Sequence, residues 1–128
     1  MPISSRLPLV LAGAGFALLP WVVVLALVPG SLGWIALDLA EAACLLGSAL
    51  LLRRGHAARR PLAALAALLL VGDAWCDVST AGSSLLVAVA MAVCAELPLA
   101  ALCSAIALRG RTVPAAAPRP ELALALAA

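Results

Sequence analysis

Four long apolar stretches fill most of this 128-residue chain, and they cover residues 7–28, 32–52, 61–81 and 85–108. About 20 consecutive apolar residues are enough to cross a bilayer as a helix. Within hydrocarbon a helix satisfies its own backbone hydrogen bonds, which an open strand or loop cannot do. The sequence therefore predicts an all-α protein, a four-helix transmembrane bundle in which residues 1–110 form a single membrane domain.

The composition leads to the same class of protein. The chain is 66% hydrophobic and 11% charged, with a mean hydropathy of +1.21, which leaves too few charges to cover the surface of a soluble domain. Short connections at 29–31 and 82–84 predict antiparallel neighbours, and hence an up-down-up-down bundle. We expect a multi-pass protein of the plasma (inner) membrane, surrounded by the lipid bilayer and without a nucleic-acid partner.

The arginines predict the orientation of the bundle. One precedes the first span, four fill the loop between the second and third spans, and three follow the fourth span: Arg6; Arg53, Arg54, Arg59 and Arg60; Arg109, Arg111 and Arg119. The other two loops have none. Since loops rich in Lys and Arg stay on the cytoplasmic side, both termini and the middle loop should be cytoplasmic. Residues 111–128, rich in Ala and Pro, are expected to be a disordered cytoplasmic tail.

Acidic residues inside the spans are the main functional signal. Five of the six lie there: Asp38, Glu41, Asp73, Asp77 and Glu96. A charged residue at the centre of a membrane helix costs about 2.5–3.5 kcal/mol even on the most lenient scale, so such residues usually mark a functional site. Because residues three or four apart share a helical face, Asp38 pairs with Glu41 and Asp73 with Asp77. We predict that the five form one site in the outer half of the bundle.

Three further residues are candidates to support this site. Ser48 and Thr80 carry hydroxyls on the same helical faces as the acids. Trp75 is deep enough in its span to line the site, although packing alone also explains its position. Carboxylates and hydroxyls are ligands for hard cations such as Mg²⁺, Ca²⁺ or Mn²⁺, so a divalent cation is the one candidate cofactor.

Two physical outcomes remain open for five carboxylates placed so close together. Burial and mutual repulsion oppose the ionisation of all five at once. Either a cation enters and the carboxylates ionise around it, or protons occupy the site and the neutral acids hydrogen-bond to one another. The first outcome gives a binding or permeation site, whereas the second could be purely structural.

Three classes of function follow, in order of preference. The first is a protein that binds or helps to transport protons or metal cations, for which so small a chain needs a homo-oligomer or a larger membrane complex. The second is an accessory or scaffolding subunit whose acids pair with cationic groups of a partner. An enzyme ranks third, because the sequence contains no nucleophile–base pair and no complete catalytic motif.

One segment carries a family resemblance. Residues 73–81 read Asp-Ala-Trp-Cys-Asp-Val-Ser-Thr-Ala, and residues 95–100 read Ala-Glu-Leu-Pro-Leu-Ala. This pattern resembles small four-span actinobacterial membrane proteins in which the first stretch often reads Asp-Ala-Trp-Phe-Asp, so that Cys76 stands at the Phe position. The resemblance, which includes the Asp38/Glu41 pair, covers most of the membrane part and implies a shared fold. It implies no activity.

Overall fold

The computed structural model describes residues 6–109, which are almost entirely helical and contain no strand. The helices are α1 (Leu7–Ala26), α2 (Leu32–Arg53), α3 (Arg59–Thr80), α4 (Leu85–Met91) and α5 (Leu97–Leu108), with a 3₁₀ turn at Gly82–Ser84 and a π turn at Ala92–Glu96. The 3₁₀ turn, α4, the π turn and α5 are continuous and form the fourth span, Gly82–Leu108. The tail predicted at 111–128 lies outside the described residues.

Within residues 6–109, four helical segments are long and apolar enough to cross a membrane, which confirms the predicted all-α four-helix bundle. The observed spans are Leu7–Ala26, Leu32–Arg53, Arg59–Thr80 and Gly82–Leu108, within a few residues of the predicted limits. Successive spans run in opposite directions, so both ends of the described chain lie at the same end of the bundle as the arginine loop. The orientation of that end in a cell stays a prediction.

The spans are arranged as an arc in chain order. α1 packs against α2, α2 against α3, and α3 against α4 and α5. Within residues 6–109, α1 makes no extensive contact with the fourth span. The bundle therefore has a seam between its first and last spans, and the concave side of the arc can hold a cavity.

The apolar core occupies the half of the bundle nearest the arginine loop. Its members come from the beginning of α1, the second half of α2, the first half of α3 and the fourth span: Leu11, Cys44, Leu45, Ala49, Ala63, Ala66, Ala67, Leu70, Ala100, Cys103 and Ile106. Many of them are Ala, which lets the helices approach closely. The helices also approach closely at Gly15, where an added Cβ atom would lie 2.8 Å from Leu46 Cγ.

The connection between α1 and α2 is stabilised by one buried serine. Ser31 Oγ donates to the carbonyl oxygens of Leu25 (2.5 Å) and Val28 (2.8 Å), which lie at and beyond the C-terminus of α1. Gly30, just before it, has a φ of +83°, a conformation that glycine adopts without steric cost. The turn thus fixes where α2 begins, and with it the depth of the acids on α2.

The fourth span is not a uniform α-helix. At Ala92–Glu96 the backbone forms a π turn, in which the N–H of Leu97 donates to the carbonyl of Ala92. The turn ends just before Pro98, whose ring would clash with the carbonyl four residues earlier in a regular helix and which has no N–H to donate. A wider turn accommodates both constraints. Glu96 is the last residue of this turn.

Candidate cation site

All five intramembrane acids border one cavity. The cavity has a volume of about 770 Å³ and lies between the four spans, on the concave side of the arc. α2 contributes Asp38 and Glu41, α3 contributes Asp73 and Asp77, and the π turn contributes Glu96. The structure thus brings together the residues that the sequence places on three separate helical faces.

The carboxylates form two groups that share one residue. One oxygen from each of Asp38, Glu41 and Asp73 lies within 4.8 Å of the other two, and the same holds for Asp73, Asp77 and Glu96. We call the group of Asp38, Glu41 and Asp73 the inner triad. The group of Asp73, Asp77 and Glu96 is called the outer triad. Asp73 belongs to both triads because it lies at the centre of the cluster, one helical turn before Asp77 on α3.

Four of the five acids are buried. The exposed fraction is 5% for Asp38, 1% for Glu41 and 8% each for Asp73 and Glu96, whereas Asp77 is half-buried. Glu41 Oε1 and Glu96 Oε2 have no hydrogen-bond partner. A buried polar atom without a partner costs about 1–3 kcal/mol, and more when it is charged. Both residues border the cavity, so this cost is concentrated at the candidate site.

Among residues 6–109, no arginine borders the cavity. Arg53 is the last residue of α2 and Arg59 is the first residue of α3, so both lie at the opposite end of those helices from Asp38 and Asp77. Five carboxylates around one cavity cannot all be ionised unless positive charge is added. The arrangement can accept that charge as a bound cation or as bound protons.

The three supporting residues predicted from the sequence have different positions. Thr80 borders the cavity, and its hydroxyl donates to the carbonyl of Cys76 at 2.8 Å. Ser48 is fully buried but lies two helical turns beyond Glu41, among the core residues of α2. Trp75 is 76% exposed and lies on the outer face of α3. Of the three, only Thr80 reaches the cavity.

Sequence reasoning missed the apolar side of the cavity. α1 contributes Ala17 and Trp21, and the fourth span contributes Val87, Met91 and Leu99. α1 contains no charged residue, so its sequence predicts only a packing helix. α1 helps to enclose the cavity because the helices are arranged as an arc. The pattern of residues in the sequence does not predict that arrangement.

No protein-family model matches this chain, and no curated protein or solved structure is significantly similar to it. The resemblance of residues 73–81 to small actinobacterial membrane proteins therefore stays a prediction. The structural findings define the class: the four apolar spans and the buried acidic cluster fit an integral membrane protein.

Proposed function

We propose that this protein binds a cation, either a hard divalent metal ion or protons, at its carboxylate cluster and acts in cation binding or transport in the plasma (inner) membrane. The observation that carries the proposal is the pair of triads that share Asp73. Each brings three carboxylate oxygens together in a cavity that no arginine of the described residues borders.

The oxygen spacing suits a hard cation. Ca²⁺ binds oxygen at about 2.3–2.6 Å, so ligands on opposite sides of one ion are about 4.6–5.2 Å apart. The oxygens of each triad lie within 4.8 Å of one another, so one ion can contact all three without a large rearrangement. The cavity has room for the water molecules that would complete the coordination shell.

Protons and metal ions would compete for the same oxygens. A metal ion binds carboxylates in their ionised form, so its binding releases protons and its affinity rises with pH until the carboxylates are fully ionised. This competition couples the binding of metal ions and protons at one site. A protein that exchanges one cation for the other across a membrane requires such coupling. The described part of the chain forms a small unit of four spans, so we propose that a homo-oligomer or a larger membrane complex completes any path across the bilayer.

The proposal is tested by thermal unfolding of the purified full chain in detergent, against Mg²⁺, Ca²⁺ and Mn²⁺ at several pH values. A ligand that binds only the folded state stabilises it by about 2.7 kcal/mol at one hundred times its dissociation constant. We expect stabilisation by at least one of these ions, increasing from pH 5 to pH 8.

Three single substitutions then locate the ion. Asp38→Asn removes a ligand from the inner triad alone, Asp77→Asn from the outer triad alone, and Asp73→Asn from both. We expect Asp73→Asn to abolish the metal response, and one of the other two to leave it largely intact. Cys76→Ser, on the exposed face of α3, is the matched control and should respond as the parent does.

The accessory-subunit hypothesis gives the opposite pattern. If the acids serve only as contacts to a partner's cationic groups, the isolated chain will not respond to any metal ion. Asp73→Asn will then disturb co-purification with the partner and leave the thermal stability of the isolated chain unchanged. That result would overturn the cation-site proposal.

A further inference from the structure

The cavity is much larger than a metal ion needs. Its volume is about 770 Å³, whereas a water molecule takes about 30 Å³ in the liquid. Pockets for organic ligands measure about 300–1,000 Å³. A bare cation coordinated by one triad would occupy only a small part of this space.

The walls of the cavity differ in chemistry. The carboxylates lie on α2, α3 and the π turn, as described above. The apolar part of the lining comes from α1, α4 and the beginning of α5, with Leu18 and Trp21 from α1, Val87 and Met91 from α4, and Leu99 from α5. A ligand that fills the cavity therefore needs positive charge on one side and apolar surface on the other.

Two of the acids show where the charge would be placed. Glu41 and Glu96 border the cavity and are more than nine-tenths buried, and each has one side-chain oxygen without a hydrogen-bond partner. A neutral apolar occupant, such as an acyl chain, would leave these oxygens without a partner. An anion would add repulsion from the carboxylates. A cation satisfies both oxygens.

We propose that the cavity binds an amphipathic organic cation, a molecule that combines one ammonium or phosphonium charge with an apolar body. This inference rests on the proposed function, since it names a ligand class for the same carboxylates. The charge lies against the acids, the body lies against α1 and the fourth span, and the ring of Trp21 offers a cation–π contact. The seam between α1 and the fourth span opens the cavity on the side where such molecules accumulate in a bilayer.

The probe for this proposal is tetraphenylphosphonium, added to the purified full chain in uncharged detergent and followed by calorimetry. Tetraphenylborate has nearly the same shape and the opposite charge, so it measures partition into the micelle. We expect saturable binding of the phosphonium ion, at least tenfold tighter than any binding of the borate. Mn²⁺ should weaken phosphonium binding by competing for the carboxylates.

A pair of substitutions on α4 separates the apolar wall from the carboxylates. Ala88 borders the cavity, while Ala90, two residues further along the helix, is exposed on the outside of the bundle. We expect Ala88→Phe to weaken phosphonium binding at least tenfold and to keep the thermal response to Mn²⁺, which also shows that the variant is folded. Ala90→Phe should keep both properties.

The outcomes distinguish this inference from the proposed function. Stabilisation by Mn²⁺ without phosphonium binding, or equal binding of phosphonium and borate, overturns the inference and leaves the metal site standing. Phosphonium binding that is weakened by Ala88→Phe and not by Ala90→Phe supports the inference, whether or not a metal ion also binds. If neither cation binds at any pH, both proposals fail.

Discussion

Glu41 and Ser48 are both buried without a hydrogen-bond partner, but these two unpaired polar groups differ in what they mean for the site. Both lie on α2, seven residues apart, with exposed fractions of 1% and 0%. Glu41 borders the cavity, whereas Ser48 lies among core residues. Glu41 therefore belongs to the candidate site, whereas the unmet polar atom of Ser48 is a local cost of packing.

This contrast predicts how apolar replacements affect stability. Glu41→Met keeps the length of the side chain and removes an unpartnered buried polar group, so we expect the ligand-free protein to be more stable by about 1–3 kcal/mol. The same variant should lose the thermal response to cations. A lower stability of the ligand-free variant would show that Glu41 is held by contacts within the protein.

Ser48→Ala is the companion variant. Removing a buried hydroxyl that has no partner should leave stability within about 1 kcal/mol of the parent or raise it. Because Ser48 lies outside the cavity, the response to cations should be unchanged. Thermal unfolding with and without Mn²⁺ measures both quantities, and a lost response would assign Ser48 to the site after all.

At the scale of the helices, the spacing of the acids predicts which of them share a helical face. Asp73 and Asp77 are one turn apart, so their shared face follows from the 3.6-residue period. The same period explains why Trp75 lies outside the cavity, since it is two residues from Asp73 and about 200° around the helix. The π turn was not predicted, although Pro98 directly after Leu97 indicates a disturbed backbone at that point.

The contact between α1 and α2 gives a prediction at this scale. A Cβ atom on Gly15 would lie 2.8 Å from Leu46 Cγ and 3.2 Å from the carbonyl oxygen of Ala42, whereas one on Gly13 would meet nothing within 4 Å. We expect Gly15→Ala to lower the free energy of unfolding by about 1–3 kcal/mol through overpacking. Thermal or denaturant unfolding in detergent measures the change.

Gly13→Ala provides the control on the same helix. Alanine favours the helix over glycine by about 1 kcal/mol, so this variant should be as stable as the parent or slightly more stable. If both variants destabilise the protein equally, the close approach of α1 to α2 at Gly15 is not the cause of the lower stability.

At the scale of the whole molecule, the arginine loop lies at one end of the bundle and the cavity lies toward the other end. The apolar core and the loop with four arginines occupy one half, and the carboxylates occupy the other. The number of spans and their order could be predicted from hydropathy alone. The arc and its seam could not, because they depend on which pairs of apolar faces pack best, and the four faces are similar in composition.

The orientation of the bundle is directly testable. We expect a fluorescent protein fused to the C-terminus to be active in the cytoplasm, and alkaline phosphatase, which folds only after export, to be inactive there. Phosphatase inserted at residues 29–31 should be active. The reverse pattern would place the carboxylate cavity on the cytoplasmic side and would contradict the positive-inside reading.

The distribution of the acids over three spans also bears on how the protein is made. No span carries more than two of them, so each can enter the bilayer during synthesis at a moderate energetic cost. The third span, with Asp73 and Asp77, is the least apolar of the four, and its insertion depends most on neighbours that are already in place. The complete cavity exists only when the last span has docked. A chain whose translation stops before Glu96 would therefore expose acids to lipid, which makes it a ready substrate for membrane quality control.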